Sequence, residues 1–364
     1  MGRMKAHHAT ATIGVDEGKT LKTAQQLLRA GLIDERHLND IARVAEAFSV
    51  ALSPQVQRLI DRSDPKDPIA AQFVPSAAEM NWAAEELTDP IGDEAHSPVP
   101  GIVHRYPDRV LFKPLNACPV YCRFCFRRET VGKGLESLAD SAIEKALDYI
   151  ESTPDIWEIV VSGGDPLIIS PRRLKRIMRR VAEIGHVGVV RFHTRVPVVR
   201  PNVIDDELID ALKIKKAVFV ALHTNHVREL SEEARRACAK LIDSGFPMLS
   251  QTVLLKGVNA DTESLIALFR ALVEMRIKPY YLHHGDLARG TAHFRTTISE
   301  GQNLARALRG TLSGLCQPAY VLDIPGGYGK VPIGPNYLSR VDDGSFEVCD
   351  IHGQRHDYQD VVPT

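Results

Sequence analysis

Three cysteines stand within eight residues, Cys118, Cys122 and Cys125, in the run NACPVYCRFC. Thiolates are soft donors, and three on one short loop form a ready claw for a metal centre. The spacing suits an iron–sulfur cluster or a zinc ion. A structural zinc takes four protein ligands, and no nearby Cys or His stands at the usual finger spacing to supply the fourth. A four-iron cluster held by three thiolates keeps one iron open, and an open iron binds a small chelating ligand and passes it an electron. The other cysteines, Cys238, Cys316 and Cys349, are scattered. They read as ordinary thiols, and a disulfide framework does not suit a chain of this size.

Further groups with chemistry in them lie downstream. Gly163-Gly164-Asp165-Pro166 is a turn whose glycines admit a ligand close to the backbone. PGGYGK, at Pro325–Lys330, is a second glycine-rich turn ending in a lysine. A lysine amine forms imines reversibly, which suits a carbonyl cofactor; alone, the run reads equally well as a surface loop. Arg127 follows the cysteines, and Asp286 and Asp323 stand far downstream. A cation set apart from two anions suits a ribbon-like substrate with a carboxylate at one end and an ammonium at the other. Two carboxylates are costly to bury together unless a cation joins them.

These residues need a scaffold, and the chain supplies a rhythm. After Gly101, short β-rich runs alternate with amphipathic helical stretches: VLFKPLNA, IWEIVVSGG, GVVRFHTR, AVFVALHT, PMLSQTVLL and PYYLHHGD, with a seventh run, AYVLDI, near Ala319. Leu135, Leu138, Ala142, Ile143, Ala146 and Ile150 share one helical face, as do Leu174, Ile177, Met178 and Val181. Strands alternating with helices predict parallel pairing and right-handed crossovers, and six units predict a partial (β/α)6 barrel. Polar residues gather at the ends of the runs: Gly163-Gly164-Asp165, His193, Arg195, His223 and Asp286. In a barrel that edge carries the active site. Before it, KTLKTAQQLLRAGLI and LNDIARVAEAF read as two helices, followed by a Pro- and Asp-rich stretch and a loop, DPIGDEAHSPVPG. The expected organisation is a mobile tail and helical N-terminal region over 1–100, a catalytic barrel over 101–338 and a C-terminal extension over 339–364.

Composition narrows the function classes. The chain has 364 residues, 44% hydrophobic, with a formal charge of −1. Nothing in that balance asks for nucleic acid or an anionic membrane. No apolar run is long enough to span a bilayer, and the N-terminal MGRMKAHHATATIGVDEGK lacks the apolar core of a signal peptide, so a cytoplasmic protein is expected.

The cysteine loop after the first strand of a (β/α)6 barrel, with GGDP at the end of the second strand, resembles the radical S-adenosylmethionine (SAM) superfamily. The segments YPDRVL, CRFCFRR, SGGDPL, SQTVLLKGVN, AHFRT, DIPGGYGKVP and PNY resemble the lysine 2,3-aminomutase family in order and spacing, over roughly 98–338. The resemblance implies a [4Fe–4S] cluster on Cys118, Cys122 and Cys125, with SAM bound near Gly163, Gly164 and Asp165. It implies pyridoxal 5′-phosphate (PLP) on Lys330, with Arg109 on its phosphate and Gln251 beside both cofactors. His193, Arg195 and His223 are expected along the SAM site. By the same resemblance Arg127 binds the substrate carboxylate, and Asp286 and Asp323 bind the distal ammonium of lysine.

The activity so implied is isomerisation of L-lysine to β-lysine. It needs an electron donor such as flavodoxin or ferredoxin, and a homo-oligomer is expected. An aminomutase for another cationic amino acid, such as arginine, is the nearest enzymatic alternative; a non-catalytic iron–sulfur protein is the alternative from another class. The resemblance stops at the C-terminus. Lysine-fermenting members carry extra cysteines there for a structural zinc, whereas here Cys349 stands alone. The length is closer to shorter relatives whose β-lysine modifies elongation factor P, although those often lack the second aspartate.

The cysteine spacing makes a first prediction. Cys118→Ala, Cys122→Ala or Cys125→Ala should each abolish reductive cleavage of SAM, and Cys238→Ala should leave it nearly intact. Iron and sulfide content with product formation under dithionite checks this; loss of the cluster in Cys238→Ala alone would refute it.

Overall fold

The computed structural model describes residues 18–134 and 136–361. The first part of the expected tail and Leu135 lie outside them. Four helices open the fold: α1 (Ala24–Arg29), α2 (Leu38–Ala47), α3 (Pro54–Leu59) and α4 (Pro68–Phe73). Thr23 and Gln26 form a capping box on α1, and Ile41 and Val44 turn the apolar side of α2 inward. Helices α3 and α4 fall in the Pro- and Asp-rich stretch, where none is expected from sequence. Both carry proline in the first turn, where its missing N–H costs nothing, and Ser53 and Asp67 cap them. Here proline starts a helix instead of ending one.

A nine-stranded sheet follows, its strands paired in chain order. β1 (Ile102–Tyr106) runs antiparallel to β2 (Arg109–Leu115). From β2 the pairing is parallel through β3 (Glu158–Gly163), β4 (Val189–Thr194), β5 (Ala217–His223), β6 (Met248–Val253), β7 (Ile277–His283) and β8 (Ala319–Ile324). A hairpin returns as β9 (Gly329–Pro332), antiparallel to β8. The crossovers carry α5 (Asp140–Glu151), α6 (Pro171–Glu183), α7 (Val196–Val199), α8 (Asp206–Leu212), α9 (Glu232–Asp243), α10 (Thr262–Glu274) and α11 (Ile298–Thr311). This is the partial barrel expected from the sequence, with all seven predicted runs as its parallel strands. The antiparallel β1 and β9 are additions. Helix α5 starts at Asp140, so Leu138 precedes it, and Ser137 instead bridges to Leu115.

The strands sort their side chains as the pleat requires. On β4, Val190 and Phe192 are buried, while Arg191 and His193 line the barrel interior. Leu174, Ile177, Met178 and Val181 of α6 are all buried. The core is continuous from Leu21 and Leu27 through the barrel to Tyr320, so the N-terminal helices share it with the sheet. Residues 338–359 form a separate antiparallel meander, β10 (Leu338–Asp342), β11 (Ser345–Cys349) and β12 (Arg355–Gln359). Among the described residues no helix is long and apolar enough to cross a membrane.

Two contacts fix the cysteine loop to this frame. The first is the buried carboxylate of Glu79, fully enclosed. Arg123 donates to it through Nε (3.0 and 3.1 Å) and Nη2 (2.5 Å), and Arg128 through Nη2. Burial alone would raise its pKa, but the Arg123 and Arg128 charges outweigh that and hold it below the usual range. The second is the GGDP turn. The Gly164 N–H donates to Leu115 O (2.8 Å) and the Asp165 N–H to Ala117 O (2.9 Å). A Cβ on Gly164 would stand 2.1 Å from Ala117 O and 2.6 Å from Ala117 N. Both glycines of the motif are therefore needed for packing against the strand that feeds the cysteines, before any ligand is considered. Gly163, at φ +101°, would also place a Cβ 2.5 Å from Leu115 O.

Backbone cannot give way as a flexible side chain can. Gly164→Ala should cost about 3 kcal/mol or more, seen as a thermal midpoint lowered by several degrees and poor cluster incorporation. Gly314→Ala, where the new methyl meets nothing within 4 Å, should stay within about 0.5 kcal/mol of wild type.

Candidate active site

The carboxyl ends of the parallel strands open into one cavity of about 530 Å³. It is lined by Cys118, Cys122, Cys125, Gly163, Gly164, Asp165, His193, Arg195, His223 and Gln251. Arg109, Arg127, Asp286, Asp323 and Lys330 complete the lining. Every residue selected from sequence thus reaches the same space. Arg105, Tyr106, Phe124 and His283 line it too and were missed. Arg105 and Tyr106 close β1, one turn before Arg109, so the run HRYPDR held the signal.

The three cysteines sit on the loop between β2 and α5. Burial pushes all three thiols up, Cys125 to about 11, and the neighbouring thiols add to the effect on Cys118 and Cys125. Such thiols become thiolates only beside strong positive charge, which bound iron supplies. Arg195 Nη1 already donates to Cys122 Sγ at 2.9 Å. No three His, Cys, Asp or Glu side chains among the described residues converge closely enough for a single metal ion. A zinc ion would draw its sulfurs to within about 4 Å of one another. Three cysteines with no fourth protein ligand beside them among the described residues fit a cluster that keeps one metal atom open.

Asp165 and Arg195 are held by protein. Asp165 accepts from Thr194 Oγ1 (2.7 Å), Arg195 N (2.7 Å), Val196 N (3.1 Å) and Leu167 N (3.2 Å). Its carboxylate ties the end of β3 to the end of β4, so what this turn offers a ligand is its backbone. Arg195 also donates to Glu229 Oε2 (2.6 Å) and Gln72 Oε1 (2.5 Å). His223 differs. Its Nε2 is buried with no partner, and its ring meets Phe124 edge-on at 5.6 Å. An orphaned polar atom on a cavity wall fits a ligand that completes it.

His193 accepts from Arg191 Nη1 (3.1 Å) and lies 3.2 Å from the Gln251 amide through Nδ1. Arg191 is itself held by Glu158 (2.8 Å). Burial, with Arg191 and Lys330 adding to it, pushes His193 well below its ordinary pKa; burial likewise takes His283 down to about 3. These imidazoles are neutral hydrogen-bonding surfaces.

The charged groups share the cavity, and Asp286 feels Lys330, Arg127 and Arg105 as well as Asp323. Lys330 lies directly opposite Asp323 in the β8–β9 hairpin, and its Nζ donates to Asp323 Oδ2. Arg105 Nη1 donates to Asp323 Oδ1 at 3.3 Å. The turn between them uses Gly326, Gly327 and Gly329 at φ +86°, +88° and +97°, and the Tyr106 hydroxyl accepts from Lys330 N at 2.7 Å. Beside it Arg109 stacks on Tyr106, 3.7 Å from the ring centre. A lysine, a flat glycine turn and the cations Arg105 and Arg109 suit a flat, phosphorylated carbonyl cofactor. Asp286 makes no hydrogen bond to protein among the described residues. Burial and then the nearby Asp323 raise it to about 7. Arg127 donates to Asp93 Oδ2 at 2.8 Å through Nε.

Comparison with known proteins agrees with this geometry. The Radical SAM superfamily profile matches residues 112–269, and the Lysine-2,3-aminomutase profile matches residues 305–345. The L-lysine 2,3-aminomutase of Clostridium subterminale is 41% identical over 87% of this chain and 76% of its own length. A putative L-lysine 2,3-aminomutase of Aquifex aeolicus is 38% identical over 94% and 92%. A glutamate 2,3-aminomutase of Clostridioides difficile is 37% identical over 82% and 70%. Cysteine claw, glycine turn and lysine hairpin meet in one cavity, and the sequence matches these relatives over most of its length: the chain belongs to the lysine 2,3-aminomutase family of radical SAM enzymes.

Proposed function

We propose that the protein isomerises free L-lysine to β-lysine (3,6-diaminohexanoate), moving the α-amino group to the β-carbon. The observation that carries the substrate is Asp286, a carboxylate on the cavity wall with no hydrogen-bond partner among the described residues, whose ionisation burial and then the nearby Asp323 make more costly. A pocket built this way is stabilised by an incoming cation. Arg127, near the cysteine loop, supplies the opposite charge for a carboxylate. A second carboxylate in place of the ammonium, as in glutamate, would meet repulsion.

Cys118, Cys122 and Cys125 would hold a [4Fe–4S] cluster, the backbone of the GGDP turn and His223 would face SAM, and Lys330, Arg105, Arg109 and Tyr106 would hold PLP. When bound, these groups supply a hydrogen-abstracting carbon radical and an electron-delocalising imine. The protein's part is placement and exclusion. Arg127 orients the carboxylate, and Asp286 and Asp323 anchor the far ammonium, which together stretch the substrate and fix its β-carbon. Phe124, Phe294, Leu255 and Val258 form a small apolar cluster beside the cysteines, which keeps water and stray C–H donors from a reactive carbon. Neutral His193, His223 and His283 hydrogen-bond without adding charge.

The reading includes an external one-electron donor such as flavodoxin or ferredoxin, a homo-oligomer and a cytoplasmic setting. Supply of β-lysine for modification of elongation factor P is the use that this reading proposes.

Anaerobic incubation with SAM, dithionite and single amino acids should give β-lysine from lysine and little product from arginine or glutamate. Asp286→Asn should lower kcat/KM for lysine about 30- to several-thousand-fold. A terminal-methyl analogue, norleucine, should lose far less, and equal losses would remove the ammonium role. Because the ionised form of Asp286 attracts the ammonium, kcat/KM should fall as pH drops through about 7. That limb should vanish in Asp286→Asn. Borohydride reduction of the holoenzyme should leave the pyridoxyl group on Lys330; finding it on Lys256 or Lys278 would overturn the assignment of the hairpin.

A further inference from the structure

Arg127 is anchored from outside the barrel. The segment 89–97 precedes β1 and lines the cavity through Ile91. Its Asp93 is 6% exposed and accepts from Arg127 Nε at 2.8 Å and from Lys113 Nζ at 3.3 Å on the same oxygen, Oδ2. Asp93 Oδ1 is buried without a partner. The segment is itself pinned. Asp89 accepts from the N–H groups of Asp93 and Glu94 at 2.9 Å each, and the Ser97 hydroxyl donates to Asp93 O at 2.7 Å. It also reaches the lysine hairpin, where the Gly326 N–H donates to Pro90 O at 3.3 Å and Arg105 Nη1 donates to Ile91 O at 2.9 Å.

An arginine held through Nε has both η nitrogens left to present. The Nε contact is the only hydrogen bond recorded for the Arg127 guanidinium among the described residues, and the group stacks on Phe126, 4.4 Å from the ring centre. Held on one edge and one face, the guanidinium lines the cavity with both η nitrogens free of protein partners among the described residues. Two cations, Arg127 and Lys113, share the one Asp93 oxygen, and the free prongs of the Arg127 fork suit a carboxylate.

We infer that Asp93 is a positioning residue for substrate-carboxylate recognition: it fixes the Arg127 fork, and through the same segment it couples that fork to the hairpin bearing Lys330. The inference rests on the lysine aminomutase reading. Its selective prediction is that loss of Asp93 damages recognition of one end of the substrate and spares the other.

The test uses holoenzyme reconstituted with iron–sulfur cluster, PLP and SAM. Wild type is compared with Asp93→Ala, Asp93→Asn and Asp93→Glu on lysine, lysinamide and norleucine. Wild type should prefer lysine over lysinamide, which lacks the carboxylate, and over norleucine, which lacks the ammonium. In Asp93→Ala, KM for lysine should rise about 10- to 100-fold with a smaller change in kcat, and the preference over lysinamide should shrink by a similar factor. The preference over norleucine should persist. Asp93→Asn keeps an acceptor for Nε–H and should lose less than Asp93→Ala. Added formate should restore part of the Asp93→Ala loss by occupying the emptied carboxylate site.

Unchanged KM in Asp93→Ala, or equal shrinkage of both preferences, would overturn the positioning role. If Asp93→Ala does not fold, Asp93→Asn and Asp93→Glu carry the same comparison of preferences. Failure of wild type to convert lysine would instead overturn the function on which the inference rests.

Discussion

The geometry of the whole cavity hangs on the burial of one carboxylate between two guanidiniums. Glu79 belongs to the N-terminal region, while Arg123 stands between Cys122 and Cys125 and Arg128 three residues after Cys125. Three charges without water are tolerable only if all three stay together, since removing one strands a charge in low dielectric. Further donors reach backbone: Arg123 Nη1 meets Ser49 O at 2.8 Å, and Arg128 Nη1 meets Gly290 O at 3.0 Å, while Arg128 Nε is left without a partner among the described residues. The loop is thereby fixed within its cysteine run and again just after it. The N-terminal helices share one core with the sheet, so they form part of the frame of the site.

Charge in the cavity is distributed by distance. Buried imidazoles are kept neutral, and Arg195, Arg191 and Arg127 are each tied to a partner carboxylate. Against that compensated background Asp286 stands out as the group with nothing assigned to it. In the proposed reading, selectivity for a substrate with both a carboxylate and an ammonium comes from leaving one carboxylate and one guanidinium fork in the cavity for it to complete. Burial supplies the strength: the same charges in open water would discriminate weakly.

Much of this was legible in the sequence because it is written in strong local signals. Period-two apolar runs separated by period-3.6 stretches specify the strand order, and cysteines at fixed spacing specify the claw. What was hidden is non-local. Asp165 reads as a ligand residue, yet its carboxylate is consumed by Thr194, Arg195 and Val196, about thirty positions away in sequence. Gly164 reads as room for a cofactor, yet its missing side chain makes room for Ala117. Asp93 and Glu79 give no signal, because a lone acid in a polar stretch looks solvated until the fold closes over it. Helices α3 and α4 were obscured by proline, whose meaning depends on its position in the turn. The C-terminal meander was obscured by strands too short and polar to show a buried face.

The sheet ends at β9 without pairing to β1, so the barrel has an open seam. Across it run the hydrogen bond from Lys330 N to the Tyr106 hydroxyl and the ion pair of Arg105 with Asp323. Closure by side chains has a different mechanics from closure by a ladder. A backbone ladder yields only by unzipping, one residue after another, whereas a few side-chain bonds release together by rotamer change and leave both strands intact. The barrel therefore has its compliance concentrated along one line, and that line runs past Lys330. The bonds that tie the seam are the bonds that hold the lysine, since Tyr106 takes the Lys330 N–H and Asp323 takes both Arg105 and the Lys330 Nζ.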